Sequence, residues 1–101
     1  MKILALEVER PGAAPTQFAP LLTAEAYAVW ELHQAGLIRE LYFRADKHEA
    51  VLVLECVSLD EACATLQRLP LVQAGLIAFD LIPLVAYRGF TRLFGGEHLR
   101  E

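Results

Sequence analysis

The stretch Val51-Leu52-Val53-Leu54-Glu55-Cys56-Val57 runs straight into Ser58-Leu59-Asp60-Glu61, and the fold turns on how those two pieces are read. The first is apolar at consecutive positions rather than alternate ones. Side chains alternate across a strand, so Leu52 and Leu54 take one face and Val51 and Val53 the other, and both faces need cover. Such a strand belongs in the middle of a sheet. The second piece is a capping box, in which Ser58 and Glu61 satisfy each other's amides at a helix start. That helix carries Leu59, Ala62, Cys63 and Leu66 on one side, and Leu69-Pro70-Leu71 ends it.

Working outward, residues 3–9 alternate imperfectly and read as a first strand closed by Arg10-Pro11-Gly12. Thr16 is the expected N-cap of one long helix, with Pro20 in its first turns, where proline does least harm. Phe18, Leu22, Ala26, Val29 and His33 form its apolar stripe at three- and four-residue steps, and Gly36 stops it. Residues 37–44 are rich in strand formers but carry Arg39, Glu40 and Arg44, as an edge strand can. Asp46-Lys47-His48 is a turn. Residues 76–85 form the last strand, with Pro83 marking another edge.

The order is β-α-β-β-α-β. This is the ferredoxin-like α+β pattern: a four-stranded antiparallel sheet, first and third strands central, with two helices on one face. Residues 1–86 make the domain, and residues 87–101 are a tail with Phe90, Leu93 and Phe94 at helical spacing. Two helices cover one face of the sheet only. The other face is apolar too, as Ala78, Ile82 and Leu84 behind Ile77, Phe79 and Leu81 also show. A second copy packed sheet to sheet would cover it, giving a homodimer or a higher homo-oligomer, with the tail strapping the pair.

Composition agrees. Counting Gly and not Tyr, the apolar share of the 101 residues is roughly 58%, against about 45–50% in an ordinary domain. That excess is expected to line a pocket or an interface. The net charge is −4 and the only lysines are Lys2 and Lys47, which argues against nucleic acid as a partner. No apolar run is long enough to span a membrane, and Glu7 and Glu9 interrupt the first strand too early for a signal peptide, so a cytoplasmic protein is expected. Cys56 and Cys63 lack metal or redox spacing and read as reduced core residues. There is no phosphate-binding glycine loop, and Ser58, the one serine, is committed to its cap.

Polar groups inside apolar patterns are the candidates for chemistry. His33 lies in the helix stripe, as a satisfied core or interface histidine or as a general base. Glu25 lies on the stripe's border, either reaching solvent or partly desolvated and raised in pKa for proton transfer. Arg39 is expected to share a strand face with Leu37, Leu41 and Phe43, where it would clamp a carboxylate or simply pair with Glu7 or Glu55. Tyr42 falls on the opposite face. Glu7 interrupts the apolar first strand. Trp30 and Tyr27 flank the stripe, where packing is the plainer reading, and His48 reads as a solvated turn residue. No metal site is indicated.

From Leu22 to Leu71 the chain resembles muconolactone isomerases, small enzymes of the dimeric α+β barrel superfamily. The shared features are Glu25, Glu31-Leu32 and Gly36, then Arg39-x-Leu41 with Tyr42, an acidic residue at Glu55, Ser58 opening a helix, and Leu69-Pro70-Leu71. Pro83-Leu84 matches the closing strand if a short insertion lies between Gln73 and Leu76. The resemblance implies a proton shift beside a lactone carbonyl, with no metal or organic cofactor. Glu25 would be the acid–base group and Arg39 the carboxylate anchor, with His33 a second catalytic candidate and Tyr42, Trp30 and Glu7 around the substrate. The family has a lysine where this chain has Leu22 and Thr23, which removes a catalytic charge. Two other functions fit the same architecture: a non-enzymatic ligand-binding or assembly module, expected to have a filled or wholly apolar interior, and a cofactor-free or haem-degrading monooxygenase, suggested by Trp30 and His33.

Overall fold

The third strand is central, as its two apolar faces require. In the computed structural model, which describes residues 1–95, β1 (Lys2–Glu9), β2 (Ile38–Phe43), β3 (Ala50–Glu55) and β4 (Ile77–Leu84) form one sheet in the order β2-β3-β1-β4. All neighbours are antiparallel, with Ile3 opposite Leu54 on one side and Pro83 on the other. Pro83 therefore sits on an edge strand, where its missing N–H can face outward.

The helices lie on the face that carries Ile3, Ala5, Leu52 and Leu54. These four pack with Leu32, Ile38, Ala62, Leu66 and Leu69 into the main core. Leu54 is completely buried. A second cluster of Leu71, Leu76 and Ile77, flanked by Phe18, Leu21 and Phe79, closes one end.

The first helical region is not one helix capped at Thr16. It is α1 (Pro15–Phe18), a 3₁₀ turn over Ala19–Leu21, and then α2 (Leu22–Gln34). Pro20 has no N–H to give and its ring crowds the turn before it, so the chain tightens there instead of continuing. The first residue before the helix is Ala14, whose N–H is taken by the Gln17 side chain at 2.7 Å. α2 ends in a Schellman turn: Gly36, at φ +80°, donates to His33 O, and Leu37 donates to Leu32 O.

The capping box holds, shifted by one amide. Ser58 Oγ accepts from Glu61 N at 3.1 Å, while the Glu61 carboxylate accepts from Val57 N at 2.8 Å. The helix it opens is α3 (Leu59–Leu66), whose buried residues are Ala62, Thr65 and Leu66. Cys56 is buried, but Cys63 is exposed and not in the core. The packed face is fixed by Ala62 and Leu66, and Cys63 is rotated about 100° from Ala62. Leu69-Pro70-Leu71 does more than end that helix. Pro70 takes the first position of a further short helix, α4 (Pro70–Gln73).

The opposite sheet face carries Leu4, Leu6, Val51, Val53, Ile82 and Leu84, and nothing among the described residues packs a layer on it. Beyond β4, Val85, Tyr87, Phe90, Leu93 and Phe94 are exposed, the last four around a 3₁₀ turn at Gly89–Phe94. The remainder of the tail, residues 96–101, lies outside the described residues.

Candidate functional site

Between α2 and the sheet lies a cavity of about 720 Å³. Its helical wall is Phe18, Leu22, Ala26, Val29 and His33, the same stripe that the sequence pattern marks as apolar. The stripe thus faces an open space instead of a closed core. Leu32, one step around the helix, is the residue that is buried. The floor is Leu52, Ile77 and Phe79 from the sheet, and Leu69 and Leu71 close one side. The rim is open to solvent, since Leu22, Trp30 and Phe43 are each more than half exposed (52%, 58% and 62%).

Five of the six residues singled out from the sequence border this space: Glu7, Glu25, Trp30, His33 and Tyr42. Glu25 projects from α2 and is half-buried. Its Oε1 accepts from Leu71 N at 2.9 Å, an amide left free at the start of α4. Glu7 comes from β1, one position beyond the last β1–β3 pair, and its Oε1 accepts from Ala50 N at 3.0 Å. Burial pushes both carboxyl pKa values up, and each backbone N–H pulls back part of that rise. The charge on Glu7 raises Glu25 further. Each carboxylate has one oxygen committed to an amide, which leaves the second for a ligand.

His33 is positioned by the turn that ends α2. The turn brings Ile38 O within 2.7 Å of His33 Nδ1. A carbonyl only accepts, so Nδ1 carries the hydrogen, and Nε2 holds the lone pair when the ring is neutral. Trp30 stands beside it, with ring centroids 6.4 Å apart. Eight residues separate Glu25 from His33, about 12 Å along the helix axis. They serve different ends of the cavity.

Arg39 does not join them. Between Ile38 and Glu40 the β2–β3 register shifts, so Ile38, Leu41 and Phe43 pair with Leu54, Leu52 and Ala50 on the helix side. Arg39 is the extra residue of that irregularity, not a member of the Leu41–Phe43 face. Its Nε donates to Gly36 O at 2.6 Å. Nor does it bond Glu7 or Glu55: Glu55 takes the N-terminal ammonium at 2.6 Å, which lowers its pKa, with Arg39 adding a weaker field. Tyr42 pairs with Val51 on the outer face, donates to Glu40 at 2.8 Å, and contributes only an edge of the cavity.

Two polar lining residues lie outside those candidates, and His48 among them reads in sequence as a solvated turn residue. Glu9 has a legible signal, since Ile3, Ala5, Glu7 and Glu9 share a strand face. His48 has none. It sits in a turn, yet stacks on Phe43 at 4.2 Å between centroids and borders the cavity. Among the described residues the lining holds three glutamates and two histidines but no lysine or arginine. No group of three or more His, Cys, Asp or Glu side chains there is placed to hold a metal ion, and no helix is long and apolar enough to cross a membrane.

These features define a ferredoxin-like α+β domain with an acidic, largely apolar cavity under its long helix. Among solved structures, the fold is shared with muconolactone isomerase, at 20% identity and a TM-score of 0.73 over 88% of this chain and 93% of that one. It is also shared with 5-chloro-2-hydroxyhydroquinone dehydrochlorinase from Burkholderia phenoliruptrix, seen in complex with 2,5-dihydroxybenzoquinone. That match is at 19% identity and a TM-score of 0.67, over 87% of this chain and 97% of that one. At these identities the likeness establishes the fold. No protein-family model and no curated protein sequence matches the chain.

Proposed function

We propose that the chain is a small-molecule enzyme of the isomerase kind, which moves a proton beside the carbonyl of a lactone or related small ring. The observation that carries this reading is the pair Glu7 and Glu25, half-buried, raised in pKa and facing one apolar cavity. A carboxylate with that environment is a stronger base than one in water. Glu25 takes a proton from the carbon next to the carbonyl as a dienolate forms. The resulting carboxylic acid returns the proton at the far end of the conjugated system, so no atom is gained or lost. A carboxylate anchor at Arg39 would act from outside the described cavity lining.

The test is deuterium exchange on a β,γ-unsaturated five-membered lactone such as α-angelica lactone, followed by proton NMR in D₂O. The protein is expected to accelerate exchange over buffer, and Glu25→Gln to reduce that acceleration by about 100-fold or more. Equal rates for the two proteins would sink the proposal.

A second reading, a ligand-binding module without turnover, is favoured by one observation. Leu22 lines the cavity near the point where the resembling family carries a lysine, and among the described residues no lysine stands in the lining. Ligand binding with no exchange on any lactone is its signature.

The reading includes a second copy of the chain. The apolar outer face of β1, β3 and β4 and the exposed aromatic tail suit a two-fold sheet-to-sheet pair. Its expected solution mass is twice 11.2 kDa, by light scattering after size exclusion.

A further inference from the structure

We infer that the cavity takes a ring compound that bears hydroxyl donors and no anionic group, and that it discriminates against the carboxylated counterpart of the same ring. The inference rests on the reading of this cavity as the substrate site, and it narrows the substrate class.

Phe18, Phe79, Trp30 and the stacked pair Phe43–His48 give flat apolar surface, which suits a ring. The polar groups are mostly acceptors. Glu7 and Glu25 each commit Oε1 to a backbone amide, and each keeps a second oxygen that can only accept while ionised. Glu9 adds a third carboxylate at the edge. His33 has its Nδ1–H engaged by Ile38 O, so Nε2 offers a lone pair when the ring is neutral. The hydroxyl of Tyr42 is already given to Glu40. No lysine or arginine among the described residues stands in the lining to receive an anion, and Arg39 is held outside by Gly36 O. A ligand that brings its own donors, as hydroxyls do, is matched to these acceptors. A ligand carboxylate brings more acceptors and a charge of the same sign as its neighbours, in a space where water screens it poorly.

Trp30, the single tryptophan of the chain, borders the cavity and reports binding by its fluorescence. The matched probes are resorcinol and 3,5-dihydroxybenzoate, which carry the same two hydroxyls and differ by one carboxylate. At neutral pH, resorcinol is expected to bind the wild-type protein at least tenfold more tightly. In Glu7→Gln/Glu25→Gln, where the amide oxygens still accept from Ala50 and Leu71, the gap is expected to fall below threefold. Equal or tighter binding of the benzoate to wild type overturns the inference, as does an absence of quenching by both compounds. An undiminished gap in the double variant overturns the role given to the two carboxylates. The measurement needs no turnover. The selectivity therefore stands if the deuterium-exchange test fails, and falls on its own if the two probes are not distinguished.

Discussion

Glu25 and Glu7 are the residues whose surroundings most alter their chemistry. Both have folded-state pKa values raised above the ordinary value near 4.5. A raised carboxyl binds its proton more tightly in the folded chain than in the unfolded one. Stability from this source is therefore present at low pH and is lost as the pH rises from about 4.5 through the folded pKa. Glu25→Gln removes the titration and keeps the acceptor for Leu71 N. The melting temperature of the variant minus that of wild type is expected to become more positive across that rise and then level off, as thermal unfolding in a pH series would show. A difference that stays flat with pH would contradict the assignment. At this scale the sequence is a fair guide. His33 stood out as a polar residue within an apolar stripe, and Glu25 as a carboxylate on its border. Arg39 misled, because a single extra residue between Ile38 and Glu40 changes which side chains share a face, and strand alternation carries no sign of such a slip.

Among the elements, β3 and α3 were the easiest to read. A run apolar on both faces and a serine–glutamate cap are both local signals, and both describe what forms. Leu54→Ala, deep in β3, is expected to cost about 2–5 kcal/mol in urea unfolding. Ser58→Ala is expected to cost about 1 kcal/mol, since it strips the acceptor from Glu61 N at the head of α3. What was less legible is where one element becomes two. Pro20 divides the first helical region and Pro70 begins α4, yet proline looks alike in sequence whether it opens a helix or ends one. The cavity was hidden for a related reason. A stripe of Phe18, Leu22, Ala26 and Val29 has the same periodicity whether it meets side chains or empty space, because periodicity reports which face is apolar and not what lies opposite.

The described residues are more extended than their number requires. Their radius of gyration is 16.7 Å, against about 13 Å for a compact chain of about 100 residues. An exposed aromatic tail and an uncovered apolar sheet face are the two features that fit a second subunit. If that pairing uses the sheet, a charge in the middle of the outer face will break it. Val53→Lys is expected to halve the mass measured by light scattering while leaving the far-ultraviolet circular dichroism unchanged, and an unaltered mass would count against sheet-to-sheet pairing. The two cavity carboxylates also connect the molecule's parts. Glu7 reaches from β1 to the first amide of β3, and Glu25 reaches from α2 to an amide of α4. The nitrogen-bound protons of Ala50 and Leu71 are therefore built-in reporters. In a nitrogen–proton correlation spectrum their peaks are expected to travel with pH as the two acids ionise, so the titration of the site can be followed from two assigned backbone signals before any substrate has been found.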